Sequence, residues 1–251
     1  MNSESGVGSS KFRIPPLGLN DFHQFQTDGF QIIGSVVEDE ECDVLAAELT
    51  PIFEQQQALL KSKIGGVRNL LRVSAGVQAF ATSGRIISLL EKAIGSRPFA
   101  VRAIFFDKNP KANWLVPWHQ DLAIAVAEHV EIPGFTGWST KDGVLHVHPP
   151  QEVLEGMITL RLHLDDCTSE NGALKVIPGS HRHGKLGTSE LSECSKQNEG
   201  VICEVLKGGA LLMRPLLLHA SLPAKRPMHR RVLHVEFTTK DLPDGLKWFE
   251  S

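Results

Sequence analysis

The spacing of apolar residues changes character near Phe99, and that change restricts the chain to a β-rich body carrying a helical layer. Before it, helical spacing prevails. Asn20 or Asp21 caps a short helix to about Thr27, Asp28-Gly29 breaks it, and Phe30 to Val37 forms a strand. Glu38-Asp39-Glu40-Glu41 sets acidic groups at the positive end of a helix dipole. Val44, Leu45, Leu49, Ile52 and Phe53 continue at helical spacing, so 39–60 is an amphipathic helix that Pro51 kinks or splits. Gly65-Gly66 interrupts the pattern. A further helix spans 76–95, with Val77, Phe80, Ile86, Leu89, Leu90 and Ile94 as its stripe and Gly95 as its stop.

From Phe99 the apolar residues fall in short runs: 99–107, 115–121, 157–165, 173–177, 201–205, 210–214, 216–219 and 231–238. Turn residues such as Asn171-Gly172, Pro178-Gly179 and Gly208-Gly209 separate them. The expected fold class is mainly β with a helical layer, an antiparallel jelly roll or barrel buttressed by N-terminal helices.

A chain of 251 residues can bury a full core, and no Pro/Gly/Ser linker divides its middle. Residues 19–251 are therefore expected to form one domain behind a flexible arm, 1–18. A net charge of −3 supplies no basic field for nucleic acid or anionic lipid. Cys42, Cys167, Cys194 and Cys203 form no C-x-x-C pair and are too sparse for a disulfide scaffold, which suits a reducing compartment. Met1 to Ser10 lacks the apolar core of a signal peptide, and no apolar run approaches the roughly 20 residues of a membrane span. The expectation is a cytoplasmic protein without nucleic-acid or membrane partners. Nothing in the sequence marks an oligomer interface.

Within this frame Trp118-His119-Gln120-Asp121 stands out. Residues i and i+2 of a strand share a face, so an imidazole and a carboxylate project together. With one more histidine they make the facial triad of non-haem Fe(II) oxygenases. Taken alone the pair is equally a surface histidine beside a solvated aspartate. His219 is the best-placed third ligand, at the end of the run Leu216-Leu-Leu-His219, which is expected to be a strand delivering its last polar group to a cavity. The alternative is a core histidine satisfied by a carbonyl. Such a triad leaves three positions open on iron, of which 2-oxoglutarate takes two. Its distal carboxylate then needs a buried partner, and arginine can hold a carboxylate bidentately. Arg230 is the candidate, with Ser221 on the same strand face as His219; Arg231 competes in register but suits a surface charge.

These residues lie in a chain that resembles the phytanoyl-CoA dioxygenase family of Fe(II)/2-oxoglutarate oxygenases. The similarity runs from Asp28-Gly29-Phe30 to about Thr239. Its most specific part is Asn171-Gly172-Ala-Leu-Lys-Val-Ile-Pro178-Gly179-Ser180-His181. The resemblance implies a double-stranded β-helix of the jelly-roll, cupin-like kind with helices on one side. It implies iron ligands at His119, Asp121 and His219, with Arg230 and Ser221 clamping the co-substrate. It implies a reaction in which O2 and 2-oxoglutarate yield succinate, CO2 and a hydroxylated small molecule. Halogenating relatives lack the ligand carboxylate, so Asp121 favours hydroxylation.

Other residues admit competing readings. Thr159, Arg161 and His163 share one face of an otherwise apolar strand, and Arg161 could hold an acidic substrate or the 1-carboxylate of 2-oxoglutarate. Arg102 and Phe106 on strand 99–107 are candidate pocket residues. Segment 122–156, with Phe135 and Trp138, is long for a connection and is either a lid or substrate loop, or a surface insertion with its own small cluster. His146, His148 and Glu152 partly match a cupin-type metal pattern, but Pro149-Pro150 removes ladder donors where the strand should continue. His146 or His148 at a substrate mouth is the stronger reading. His181 and His183 after Pro178-Gly179 suit a turn, with Asn171 satisfying backbone groups. A non-catalytic jelly-roll binding module is the alternative from another functional class.

Overall fold

Helix α1 (His23–Asp28) ends where Gly29 adopts the left-handed conformation, φ 79°, and its N–H closes on the Phe25 carbonyl. The computed structural model describes residues 21–60, 66–226 and 228–251; the expected arm 1–18, the Asn20 cap and Gly65 lie outside them. Strand β1 (Phe30–Ser35) follows, then helix α2 (Asp39–Leu60), one unsplit element that accommodates Pro51. In its first turn the Glu41 carboxylate accepts the Glu38 N–H at 3.1 Å.

The helix expected over 76–95 is two helices, α4 (Ala75–Thr82) and α5 (Gly84–Ile94), preceded by a short α3 (Leu70–Val73). Serine side chains set the breaks. Ser74 and Ser83 are extended N-caps whose hydroxyls accept from Val77 N–H at 3.0 Å and Ile86 N–H at 3.4 Å. The apolar stripe survives because both helices lay Val77, Phe80, Ile86 and Leu90 on the same core. Gly95 ends α5 at φ 77°, as its position predicts.

The β region comprises β2 (Phe99–Lys108), β3 (Val116–His119), β4 (Ile124–Val126), β5 (Thr136–Lys141), β6 (Val144–His148), helix α6 (Gln151–Glu155), β7 (Met157–His163), β8 (Leu174–Val176), a 3-10 turn (Ser180–His183), helix α7 (Thr188–Gln197), β9 (Val201–Cys203), β10 (Gly209–Met213), β11 (His219–Ser221) and β12 (Arg230–Thr238). A five-stranded sheet, β1-β10-β7-β12-β2, faces a four-stranded one, β3-β11-β8-β9, and every pairing is antiparallel. This is the expected double-stranded β-helix with helices on one side. Helix α7, polar and without a buried residue, is an addition the apolar spacing did not signal.

Strand alternation then sorts the side chains. Leu233, Val235 and Phe237 of β12 join Phe105 and the helices in the main core, where Phe53 meets Phe105 edge-on at 6.0 Å. The intervening residues Arg230, Val232, His234 and Glu236 turn between the sheets, opposite Lys108, Phe106, Ile104 and Arg102 of β2. Thr159, Arg161 and His163 of β7 alternate with core Leu160 and Leu162, so their shared face is the buried interior.

One local expectation is corrected. Leu216–Leu218 is a turn instead of a strand, since Leu217 N–H bonds back to Arg214 O at 3.1 Å. His219 accordingly begins its strand instead of ending one. Segment 122–156, expected as a lid or substrate loop or as a surface insertion with its own small cluster, contains the sheet β4-β6-β5 and α6. Ile124, Val126, Phe135, Val147 and Leu154 form its core, shared with Leu242, Leu246 and Trp248. Among the described residues no helix is long and apolar enough to cross a membrane.

Candidate metal centre

His119 and His219 are register partners on β3 and β11, with ring centroids 4.1 Å apart. Asp121 lies just past β3, its N–H held by the Pro215 carbonyl at 2.9 Å. One ligand atom from each of the three residues falls within 4.8 Å of the others. His119 Nε2 stands 3.9 Å from Asp121 Oδ1, and His219 Nε2 stands 3.7 Å from Asp121 Oδ2.

The second nitrogen of each ring orients it. His119 Nδ1 faces Pro117 O at 2.8 Å and His219 Nδ1 faces Leu217 O at 2.9 Å. Each Nδ1–H therefore donates to the carbonyl two residues before it and leaves Nε2 with its lone pair free for a metal. Burial pushes the His219 imidazole down to about 4, which keeps it neutral and ligating at pH 7. Burial raises the Asp121 carboxyl, but His219, His234, His119 and Arg102 around it outweigh that and hold it below the usual range. Asp121 Oδ2 is buried without a hydrogen-bond partner, which is costly unless a cation completes it. Two imidazoles presenting Nε2 and an unsatisfied carboxylate suit a divalent first-row metal.

The same residues line a cavity of about 130 Å³ that runs to Arg230, Ser221 and Lys108. Arg230 Nη1 and the Ser221 hydroxyl both donate to the carbonyl of Gly172, the latter at 3.0 Å. Arg231 points to the other face and is held by Asp165 through Nε at 2.8 Å and Nη2 at 2.6 Å. The register competitor thus lies outside the cavity, as a half-buried ion pair instead of the expected surface charge.

Arg102, Phe106 and Arg161 line the cavity too. A buried chain of groups fixes them. Arg102 pairs with Glu236, Glu236 Oε1 lies 3.2 Å from His234 Nε2, and His234 Nδ1 lies 2.8 Å from Arg161 Nη1. Since arginine only donates, His234 Nδ1 accepts and its Nε2–H donates to Glu236, fixing one tautomer. Arg161 also lies over the Phe106 ring, 5.5 Å from its centroid.

His146, His148 and Trp138 do not line this cavity. His146 is buried against the Val144 carbonyl at 3.0 Å, His148 is exposed, and Trp138 meets His129 edge-on at 4.1 Å. Glu152 sits on α6 instead of continuing β6. Among the described residues the only cluster able to hold a metal is His119, Asp121 and His219, so the cupin-type alternative finds no support. In the Asn171 turn, Asn171 Oδ1 accepts Thr168 N–H at 2.7 Å and Nδ2 donates to Asp166 O at 2.7 Å. The His181 turn packs on Gly29, and Arg182 donates to Thr27 O, which is a structural role. Lys108, Trp114, His234 and Glu236 are site residues that the sequence reading missed. The signal for all but Trp114 was period-2 spacing with Arg102 and Arg230.

The family model for phytanoyl-CoA dioxygenase matches residues 25–232. The chain belongs to the phytanoyl-CoA dioxygenase family. Its cofactor is Fe(II) and its co-substrate 2-oxoglutarate, and the donor set described above fits both. Solved structures of similar fold include EctD from S. alaskensis with 2-oxoglutarate and 5-hydroxyectoine, at 17% identity and TM-score 0.67 over 92% of this chain and 79% of that one. The non-haem alpha-ketoglutarate-dependent carbocyclase SnoK from nogalamycin biosynthesis matches at 14% identity and TM-score 0.69, over 92% of this chain and 89% of that one. AviO1 from Streptomyces viridochromogenes Tue57 matches at 19% identity and TM-score 0.65, over 88% and 95%. At such identities the likeness is one of fold. No curated protein sequence matches significantly.

Proposed function

We propose that this member of the phytanoyl-CoA dioxygenase family is an Fe(II)- and 2-oxoglutarate-dependent dioxygenase that hydroxylates a small molecule, releasing succinate and CO2. The observation that carries this reading is that one cavity joins the His119, Asp121 and His219 cluster to the Arg230 and Ser221 pair. When bound, iron would supply O2 activation coupled to decarboxylation of the 2-oxo acid. The chain's own contribution is positional. His119, Asp121 and His219 would hold the metal. Arg230, with the Ser221 hydroxyl beside it, would neutralise and orient the distal carboxylate of 2-oxoglutarate in a site shielded from water.

Arg161, held by His234, takes the second anionic group in the cavity, the 1-carboxylate of 2-oxoglutarate or a substrate acid. Arg102 is neutralised by Glu236 and borders the metal side. Asp121 favours hydroxylation over halogenation, because its carboxylate fills the position a halide would need. Segment 122–156 is assigned to substrate recognition, as an ordered subdomain following the metal strand.

The test is anaerobic titration with Fe(II) and 2-oxoglutarate, watched for the weak visible charge-transfer band of the chelate. The band is expected in the wild type and is expected to weaken strongly in Arg230→Ala; succinate is expected on admitting O2. No band in the wild type would overturn the reading.

A further inference from the structure

Lys108 and Arg230 are register partners on β2 and β12, so both side chains enter the interior between the sheets side by side. Lys108 is among the largest fully buried side chains of the molecule, at 1% exposure. Its ammonium donates to Ser221 Oγ at 2.6 Å and to Leu222 O at 2.7 Å, and lies 5.6 Å from the Trp114 ring centroid. These two bonds leave one of three ammonium donors for a further acceptor. Arg230 donates to Gly172 O, while its Nε is buried with no partner. Among the described residues neither cation forms a salt bridge within 4.0 Å, although Arg102 and Arg231 nearby each have a carboxylate.

Two adjacent buried cations without a counter-ion are unfavourable unless an anion joins them. Burial and the neighbouring Arg230 accordingly push the Lys108 ammonium down to about 7. Gly172 is where the pocket closes. It is left-handed at φ 81°, and a Cβ there would meet Leu222 O at 2.7 Å. Glycine thus lets the turn approach closely enough for its carbonyl to hold Arg230 and Ser221 at once.

We propose that Lys108 is a second cation of the co-substrate pocket, binding the distal carboxylate of 2-oxoglutarate jointly with Arg230 and across Ser221. The assignment rests on the 2-oxoglutarate reading above and adds to it. The pocket would accept dicarboxylic 2-oxo acids and discriminate against 2-oxo monoacids, which leave both cations uncompensated.

The experiment is calorimetric titration of the full chain, loaded with redox-inert Mn(II), with 2-oxoglutarate and with 2-oxobutyrate. Lys108→Met is expected to weaken 2-oxoglutarate binding tenfold or more and leave 2-oxobutyrate binding unchanged, with Lys108→Arg recovering most of the loss. Affinity within twofold of wild type in Lys108→Met, at equal metal content, would overturn the proposal and leave the broader reading standing. A wild type that binds no 2-oxoglutarate would overturn both. If Lys108→Met does not fold, wild type carrying ¹³Cε-labelled lysine gives the answer. The Lys108 resonance, identified by its loss in Lys108→Arg, is expected to move on adding 2-oxoglutarate and not 2-oxobutyrate; a resonance that 2-oxoglutarate leaves in place would overturn the assignment.

Discussion

His119 and His219 face each other as direct partners across the β3–β11 ladder, and each ring is turned by the carbonyl two residues before it. Sheet register alone therefore brings together two imidazoles separated by a hundred residues of chain. Asp121 closes the triangle from the residue after next to His119.

Removing one corner should weaken metal binding by more than tenfold without unfolding the chain. His219→Ala and Asp121→Ala are expected to lose Fe(II) or Mn(II) on dialysis while Arg231→Ala, whose partner Asp165 lies outside the cavity, retains it. Metal content by elemental analysis, with circular dichroism as the folding control, checks this. Full metal retention in Asp121→Ala would remove that residue from the ligand set.

Glu236 serves two buried partners, Arg102 and His234. Glu236→Ala strands the Arg102 guanidinium in the interior and is expected to destabilise the fold by about 3–5 kcal/mol in urea unfolding. Replacing Arg102 and Glu236 together by Met is expected to recover much of that loss. If the double variant is no more stable than Glu236→Ala, the pair does not account for the cost.

Glu250 makes stability depend on pH. Its carboxylate accepts Leu71 N–H at 2.9 Å and Ala103 N–H at 3.2 Å, tying α3 to β2, yet burial raises its carboxyl to about 7 from an ordinary 4.5. The folded state thus binds this proton more tightly than the unfolded chain does. The resulting stability is fully present below about pH 4.5 and is lost as pH rises through about 7. Relative to wild type, Glu250→Gln is expected to gain stability between pH 5 and pH 8, by an amount on the order of a few kcal/mol. Chemical denaturation at both pH values measures it, and a pH-independent difference would contradict the shift.

Ser74 caps α4 and also donates to Glu48 Oε1 at 2.6 Å. Ser74→Ala is expected to cost about 1–2 kcal/mol of unfolding free energy, with metal content unchanged. A loss below about 0.3 kcal/mol would mean that the cap does not stabilise the helix boundary.

Much of the site could be read from spacing. His219 with Ser221, and Arg230 one residue from its competitor Arg231, follow from strand alternation, whereas the strand expected over 115–121 ends at His119 and Asp121 is set by its N–H bond to Pro215 O. Helix boundaries were less legible. The apolar stripe from Val77 to Ile94 persists through a break that Ser83 introduces, because both helices cover the same core and the spacing barely registers one extended residue. The run Leu216–Leu218 misled for a related reason, since buried aliphatics suit a tight turn beneath a sheet as well as a strand.

Local periodicity determined that this chain alternates polar groups along β strands behind a helical layer, and it offered His119, Asp121, His219 and Arg230 as candidates that the family resemblance joined into one site. Only the tertiary structure decided which strands become neighbours. That pairing set His119 against His219, aligned Lys108 with Arg230, and linked Arg102 to Arg161 through Glu236 and His234. It also drew His146, His148 and Trp138 away from the cavity into a separate sheet. The physical reason is that spacing sets the face a side chain takes, whereas cross-strand register sets what that face meets.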